Sequence, residues 1–458
     1  MLLVWVGLPA AQAADEPGDS PRWKVGLGRR EITPETPIRL SGFGFRREES
    51  EGVRQRLWAK ALAIGTGAED PVLIITLDAM AISNELVQEI VERIRRGANI
   101  PATHVAVTVT HSHTAPMLTG VCPTLFGMPI PPDHQAHIDQ YTRFLVQEAA
   151  EAGISALRER EPATLVWGQS RAGFARNRRT PEGPVDHDLP VLLVKNRRGE
   201  TVAVYTSYAC HCVTLSDNRV SGDWAGYAQE HLERLFPGAL GLVSVGCGAD
   251  SNPSSGVTGD KADVAAAQGL EVAEAARRVS QDALRPVSGP LRVHYERLSL
   301  PFDRLPSREE WETRGARQDA IGDHARYQLA KLDRGESLPN QLEYPVQTIA
   351  FGDSLAMVFL SGEVVVDYAL RLKQELDSSR VWTNGYSNGV AGYIPSERIL
   401  REGGYEGGGA MVYFDRPTRF ASGLEQPIID AVLRGLLPAF ASSVDTSRTR
   451  GSRPLSPE

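Results

Sequence analysis

The sequence predicts an α/β protein in which mixed β-sheets pack against helices in one large domain. Apolar runs of β character recur along the chain, among them VLIITLDAMAI from Val72, HVAVTVT from His104 and PVLLVK from Pro190. Helical patterns lie between many of these runs. The segment 196–199 joins two runs as a hairpin turn, which a strict βαβ repeat does not contain. Mixed sheets are therefore favoured over an all-parallel sheet.

The helices follow from hydrophobic periodicity. The apolar residues of 84–96 share one helical face, and a second stripe runs through 224–235. Residues 307–336 are very polar, which predicts solvated helices in an insertion. Glu363 follows the strand pattern LAMVFL, and we expect it in the first turn of a helix; the periodicity of 424–440 predicts a last helix.

The two ends of the chain differ from its body. The first residues, MLLVWVGLPAAQAADEPG, hold a short apolar stretch and then Ala11-Gln12-Ala13, a pattern that signal peptidases cleave. We interpret residues 1–13 as the remnant of a signal peptide and expect an exported protein, periplasmic or secreted; a disordered apolar terminus is the alternative. Residues 22–440 form the predicted domain. Residues 441–458 are rich in Ser, Arg and Pro and predict a disordered tail.

Composition excludes several classes of function. The net charge of −8 comes without a basic run, so nucleic acid is not an expected partner. Four cysteines are too few for a disulfide scaffold in 458 residues, although one bridge between Cys122 and Cys247 is conceivable. Cys210 and Cys212 flank a histidine, but in a strand they point away from it, which favours buried free thiols over a thiolate metal site.

Three histidines and one carboxylate are the candidate metal ligands. His111 and His113, in VTVTHSHTAP, are expected to project from one face where a strand ends, the usual place for a site in α/β folds. His211 ends another strand pattern, and Glu363 follows a third. Spacing alone leaves two interpretations open, a hydrolytic zinc site and hydrogen-bonded polar residues at strand ends.

The order of short motifs resembles the catalytic domain of the neutral/alkaline (non-lysosomal) ceramidase family, zinc amidases that cleave the N-acyl bond of ceramide. The motifs run in order through nearly the whole chain up to about residue 440 and leave no room there for the C-terminal immunoglobulin-like domain of larger members. They are VGLGRREITP at Val25, LSGFGFR at Leu40, LWAKALAI at Leu57, IITLD ending at Asp78, VTHSHTAP at Val109, ARNR at Ala175, YACHCVTL at Tyr208, SGDWAGYA at Ser221, GCGADSNPS at Gly246, LSGE at Leu360 and GYIPSERILREGGYEGG at Gly392.

The resemblance implies a role for each matching residue. His111, His211, Glu363 and Tyr393 would bind one Zn²⁺ ion, and a His/His/carboxylate set with room for water suits a hydrolytic zinc. His113 would be free to transfer protons. Arg178 and Tyr405 are hydrogen-bond donors and would stabilise the carbonyl oxygen as it gains negative charge. The alternatives are an ordinary loop aromatic for Tyr393, a solvated arginine cluster for Arg178 and packing against a glycine-rich loop for Tyr405.

Further polar residues are weaker candidates. Asp78 could hydrogen-bond a ligating imidazole, or simply end a strand. Asp223 is either a site residue or the N-cap of the helix that follows it, and the N-cap is favoured. Asp250 and Asn252 could line the cleft or bind a second cation, but an Asx turn before Pro253 is the favoured interpretation.

The sequence indicates the type of reaction more narrowly than it indicates the substrate. The apolar segment 117–132 directly follows the histidines and would line the cleft, touch a membrane or lipid aggregate, or pack in the core. An N-acyl lipid such as ceramide is the implied partner. Another N-acyl lipid or small acylated amine, a metal-dependent ester or phosphoester hydrolase, and a non-catalytic exported protein of the same fold are the alternatives; a phosphoesterase would show more Asp-rich ligation of two metals.

Overall fold

The computed structural model describes residues 23–67, 70–281 and 284–442. The signal-peptide interpretation of residues 1–13, and the predicted tail from residue 443 onward, lie outside these residues. The strands are β1 (Trp23–Glu31), β2 (Trp58–Gly65), β3 (Val72–Leu77), β4 (Val105–Val109), β5 (Glu161–Arg171), β6 (Ala175–Asn177), β7 (Asp188–Asn196), β8 (Thr201–Tyr208), β9 (Leu240–Val245), β10 (Ser251–Pro253), β11 (Arg285–Pro286), β12 (Leu291–Pro301), β13 (Gln341–Phe351), β14 (Leu355–Leu360), β15 (Glu363–Val364), β16 (Val381–Asn384) and β17 (Tyr393–Ile394). The helices are α1 (Asn84–Gly97), α2 (Pro132–Arg158), α3 (Asp223–Leu235), α4 (Ala262–Gln281), α5 (Arg308–Gly315), α6 (Ala320–Asp333), α7 (Val366–Glu375), α8 (Glu397–Glu402) and α9 (Glu425–Leu436).

Two mixed sheets form the body of the fold. The larger has the order β4-β3-β2-β1-β5-β7-β8-β9, with β11 paired to β5. Its β3/β4 and β8/β9 pairs are parallel, and its other pairs are antiparallel. The smaller sheet has the order β12-β13-β14-β16, in which only β14 and β16 pair in parallel. The predicted α/β class with mixed sheets is confirmed.

The layers follow from the alternation of apolar side chains along the strands. In β3, Ile75 belongs to the core beneath the helices, whereas the adjacent Ile74 belongs to a second core between the two sheets. Helix α2 packs across β1, β2 and β3, α3 packs on β9, and α4 packs on β5 and β7. The other face of the larger sheet meets the smaller one through large side chains such as Trp167 and Trp382, and α9 covers the outer face of the smaller sheet.

Most elements expected from periodicity are present. Helix α1 begins after Ser83, whose side chain accepts a hydrogen bond from the amide of Leu86, as an N-cap does. The hairpin turn at 196–199 joins β7 to β8, and the polar insertion folds as α5 and α6. The expectation for Glu363 is wrong: it lies in β15, and α7 begins only at Val366.

All four cysteines are buried and lie as free thiols, so the conceivable bridge between Cys122 and Cys247 is not formed. No helix within residues 23–67, 70–281 and 284–442 combines the length and apolar character that a membrane crossing requires.

Candidate metal centre

His111 and His113 lie beyond the end of β4 rather than in it. Strand β4 ends at Val109, and His111 adopts the left-handed backbone conformation, with φ of 57°. Ser112, between the two histidines, forms an isolated parallel bridge with Cys212. The expected shared strand face is therefore wrong, because a residue in the left-handed region leaves the strand. The two rings nevertheless meet, with centroids 4.8 Å apart.

The bridge also brings the third histidine to this place. His211 precedes Cys212, and the centroids of the His111 and His211 rings lie 4.6 Å apart. The ends of β4 and β8 thus deliver three imidazoles to one point. Nitrogen atoms of His111, His113 and His211 all lie within 4.8 Å of one another.

A short parallel ladder adds Glu363 and Tyr393 from the other half of the chain. Strands β15 and β17 pair with Glu363 opposite Tyr393. The turn before Glu363 requires glycine: Gly362 has φ of +81°, and a Cβ there would lie 2.8 Å from the Gly392 carbonyl oxygen. The side chains of Glu363 and Tyr393 are both almost completely buried. Two residues that are 30 positions apart therefore become neighbours.

His111 and His211 each use Nδ1 for a hydrogen bond to the backbone, which leaves Nε2 to bind a cation. Nδ1 of His111 lies 2.7 Å from the Met80 carbonyl oxygen, and Nδ1 of His211 lies 3.0 Å from that of Gly248. A carbonyl oxygen only accepts, so each Nδ1 carries the proton and each Nε2 presents a lone pair. This is the tautomer that a ligating histidine needs.

The Nε2 lone pairs of His111 and His211 face a carboxylate oxygen of Glu363, which is also a hydrogen-bond acceptor. Oε2 of Glu363 lies 3.2 Å from Nε2 of His111 and 3.1 Å from Nε2 of His211, and it has no hydrogen-bond partner among the described residues. Three buried acceptors in mutual contact repel one another unless a cation lies between them. The residues present therefore fit a metal ion, and His/His/carboxylate is a zinc-type ligand set.

The protonation states agree with ligation. Burial and the nearby Arg178 guanidinium lower the pKa of His211 to about 4. Burial and the two other imidazoles hold the pKa of His113 well below its usual value. Burial raises the pKa of Glu363, and positive charge on its histidine neighbours holds it well below the usual range; between neutral imidazoles a bound cation would supply that charge. At neutral pH the His113 and His211 rings are uncharged and Glu363 is a carboxylate, the forms in which these residues bind metals.

Tyr393 and Arg178 complete the inner part of the site. The Tyr393 hydroxyl lies 3.2 Å from Nε2 of His211, and Nη2 of Arg178 donates to the same hydroxyl at 3.0 Å. Burial raises the pKa of Tyr393 well above its usual value, so without a cation the group is a neutral phenol. Arg178 follows β6, which pairs with β10.

Glu406 belongs to the site and was not among the residues selected from the sequence. Its Oε1 accepts from Nε of Arg178 at 2.7 Å, and its Oε2 accepts from Nη1 of Arg179 at 2.6 Å. The carboxylate is only 4% exposed. Two features of the sequence could have suggested Glu406. It directly follows the predicted Tyr405, and its negative charge can pair with the adjacent Arg178 and Arg179.

A cleft of about 760 Å³ opens over these groups. His113, Arg178, Tyr393 and Tyr405 contribute to its walls. The Tyr405 ring lies 5.3 Å from the Tyr393 ring and beneath the Arg178 guanidinium, and it is about half exposed. The structure thus brings all seven predicted residues to one place. Nε2 of His113 lies 3.2 Å from Nε2 of His111, close enough for either a ligand or a proton carrier.

Asp78 and Asp223, two of the weaker candidates, do not hydrogen-bond the three imidazoles. Asp78 accepts from the Trp58 amide and from Gln229, not from an imidazole, so it ends the strand. Asp223 is not the N-cap, which is Gly222; it is the first residue of α3.

Asp250 and Asn252 hold protein groups in place. Oδ1 of Asp250 accepts from the Val366 amide at the start of α7, and Oδ2 accepts from the Asn177 side chain. Asn252 accepts from Nη1 of Arg178 at 3.3 Å and lines the cleft.

Comparison with known proteins supports the same interpretation of the fold. Residues 23–240 match the family described as neutral/alkaline non-lysosomal ceramidase, N-terminal. This part of the chain is therefore similar to the N-terminal region of the neutral/alkaline ceramidases. Neutral ceramidase from Drosophila melanogaster is 23% identical over 265 residues, 54% of this chain and 38% of that protein. Neutral ceramidase B from Dictyostelium discoideum is 24% identical over 246 residues, 49% of this chain and 33% of that protein.

Solved structures extend the similarity of the ceramidase fold beyond the matched region. The crystal structure of neutral ceramidase from Pseudomonas aeruginosa has a TM-score of 0.70 at 18% identity and covers 91% of this chain and 75% of that one. A structure described as ceramidase complexed with C2 has a TM-score of 0.72 at 17% identity, with 93% and 78% covered. The matches to the curated relatives span less than two fifths of those proteins' length.

Proposed function

We propose that the protein is a zinc-dependent amidohydrolase that cleaves the N-acyl amide bond of ceramide to give sphingosine and a fatty acid. One observation carries the proposal: Nε2 of His111, Nε2 of His211 and Oε2 of Glu363 converge as buried acceptors in need of a cation. The match of residues 23–240 to the neutral/alkaline ceramidase family supports ceramide as the first substrate to test.

His111, His211, Glu363 and Tyr393 would hold the zinc ion. When bound, zinc would polarise the amide carbonyl and lower the pKa of water towards ~7. Tyr393 is the fourth ligand in this proposal because its hydroxyl already lies 3.2 Å from Nε2 of His211. Arg178, which donates to that hydroxyl, keeps a positive charge at the same place.

The remaining groups would act on the substrate itself. Arg178 and Tyr405 border the cleft and would donate hydrogen bonds to the carbonyl oxygen as it becomes negative. Nε2 of His113 faces His111 and would deliver a proton to the leaving nitrogen, because an amide nitrogen does not leave as an anion. His113 is neutral at pH 7, so it must first take the proton from the attacking water.

The polar wall of the cleft favours a second candidate substrate. Arg179, Thr180, Asn252 and Glu402 line the cleft around Arg178, and these side chains suit a short polar amine better than a long alkyl chain. Another N-acyl lipid or a small acylated amine would use the same metal and the same donors.

Metal analysis and parallel assays test the proposal. The purified protein should contain about one zinc per chain, and a chelator should remove both the zinc and the turnover of a fluorogenic ceramide, with both restored by added zinc. Release of fatty acid only from short N-acyl amides would replace ceramide by the second candidate. Absence of both metal and amidase activity would overturn the proposal.

We also propose that the protein is exported, on the basis of the apolar stretch and the Ala11-Gln12-Ala13 pattern near its start. N-terminal sequencing of the protein recovered outside the cytoplasm should find Ala14 first. An uncleaved chain in the cytoplasm would contradict export.

A further inference from the structure

Three large apolar side chains from three separate segments are exposed at one rim of the molecule. Phe45 is 63% exposed, Met128 is 43% exposed and Ile321, in the first turn of α6, is 37% exposed. Single exposed apolar residues are normal on a protein surface, whereas a group of them marks a binding surface. We call Phe45, Met128 and Ile321 the apolar rim.

Close contacts between their neighbours place these residues together. The backbones of Gly127 and Ala320 approach so closely that a Cβ at position 127 would lie 3.0 Å from the Ala320 nitrogen. Met128 and Ile321 directly follow these two residues. The rings of Phe43 and Phe45 lie 5.4 Å apart, and Phe43 lines the same cavity as Met128 and Ala320.

That cavity adjoins the cleft of the candidate site. It has a volume of about 610 Å³, and Gly42, Phe43 and Tyr405 line both it and the cleft over the histidines. Its lining is mixed: Leu125, Phe126 and Pro129 are apolar, whereas Arg47, Asp319 and Arg326 are charged. The cavity next to the apolar rim and the cleft over the histidines are therefore neighbours with a shared wall.

We propose that the apolar rim docks the protein on a lipid surface, from which the acyl chain of a substrate passes through the cavity to the metal centre. The inference rests on the proposed function, since an N-acyl lipid is held in aggregates. A folded protein partner on the rim would close the cavity, whereas a fluid lipid surface supplies the substrate. Nearby charges have both signs, since Arg47 and Arg326 are exposed and Asp319 is partly exposed, so apolar contact carries the docking.

Vesicle binding tests the docking without relying on catalysis. The full chain is mixed with phosphatidylcholine vesicles, which are zwitterionic, and the bound fraction is measured by flotation. We expect wild type to bind and the double variant Phe45→Gln/Ile321→Gln to bind roughly tenfold to a hundredfold more weakly, because each side chain contributes about a factor of ten. Neither side chain lines the cleft or the cavity, so turnover of a soluble short-chain amide should stay unchanged.

A matched control separates the rim from general surface hydrophobicity. Val53 and Leu270 are 43% and 41% exposed and lie outside the linings of the cleft and the cavity. Val53→Gln/Leu270→Gln should bind vesicles like wild type. Equal loss in both double variants, or no vesicle binding by wild type, would overturn the docking. Absence of bound metal and of turnover of both ceramide and the soluble amide in wild type would instead overturn the proposed function, since vesicle binding needs no chemistry.

Discussion

Glu406 holds the guanidinium of Arg178 through a 2.7 Å hydrogen bond from Nε to Oε1. The bond fixes the plane of the guanidinium, so that Nη2 meets the Tyr393 hydroxyl and Nη1 lies 3.3 Å from Nε2 of His211. Glu406 is therefore a positioning residue, acting on the site through an arginine that it orients.

Substitution of Glu406 should lower kcat more than it changes KM. Glu406→Gln removes the charge that orients Arg178, and we expect a roughly tenfold to hundredfold loss of kcat with zinc content intact. Glu406→Asp should recover part of that loss. Glu402→Gln is the control, because Glu402 also pairs with Arg179 but is 43% exposed and does not contact Arg178. A similar loss in Glu402→Gln would show that the general charge of the cleft matters instead.

The role of His113 is separable from that of His111. If His113 carries protons, His113→Gln should keep about one zinc per chain and lose on the order of 10² or more in kcat. His111→Gln should lose both zinc and turnover, because its Nε2 lies 3.2 Å from Glu363. His137→Gln, at a half-exposed histidine that pairs with Glu49 away from the site, is the control for histidine loss. Loss of zinc from His113→Gln would make His113 a ligand.

Local periodicity predicted the helices well. The apolar stripe of 84–96 corresponds to the helix Asn84–Gly97, and that of 224–235 corresponds to the helix Asp223–Leu235. Both could be predicted because an amphipathic helix repeats its apolar residues every three or four positions. The convergence of His111 and His211 also followed from the sequence, through the ordered motifs and the strand ends.

Features of the site that depend on contacts between distant residues could not be predicted from the sequence. Glu363 was expected in a helix because its turn resembles a helix start, whereas its pairing with Tyr393 depends on a β-ladder across 30 positions. The left-handed φ of His111 occurs next to the Ser112–Cys212 bridge, a contact between residues 100 positions apart that no local pattern indicates. The ion pair of Arg178 with Glu406 spans 228 positions, and no local pattern records it.

Gly42 leaves the space that the His113 ring occupies. A Cβ at this position would lie 2.4 Å from Cγ of His113, and Gly42 has φ of +81°. Gly42→Ala should therefore displace the ring, with a roughly tenfold or larger loss of kcat in addition to about 1–2 kcal/mol of backbone strain. Gly199→Ala is the matched control, since Gly199 has φ of +77° and open space around it. Equal effects of the two substitutions on kcat, measured alongside their unfolding free energies, would contradict steric support of His113.

His324 should make the unfolding free energy depend on pH. It is buried in α6 against the Trp311 ring, and Nε2 accepts a hydrogen bond from Gln328 at 3.0 Å. Burial, with Lys331 and Arg314 nearby, lowers its pKa from 6.5 to about 4. Between these two values the unfolded chain binds a proton that the folded chain does not, so stability is present above about pH 6.5 and is lost as the pH falls towards about 4.

The expected loss from this group is roughly 3 kcal/mol over that interval, at about 1.4 kcal/mol per pH unit. Denaturant unfolding at several pH values, compared between wild type and His324→Gln, isolates the contribution of His324 from those of other titrating groups. The variant should lose less stability on acidification than wild type. Parallel curves for the two proteins would mean that the imidazole can be protonated without leaving the core, because its charge would then find solvent or a carboxylate such as that of Asp415, which also contacts Gln328.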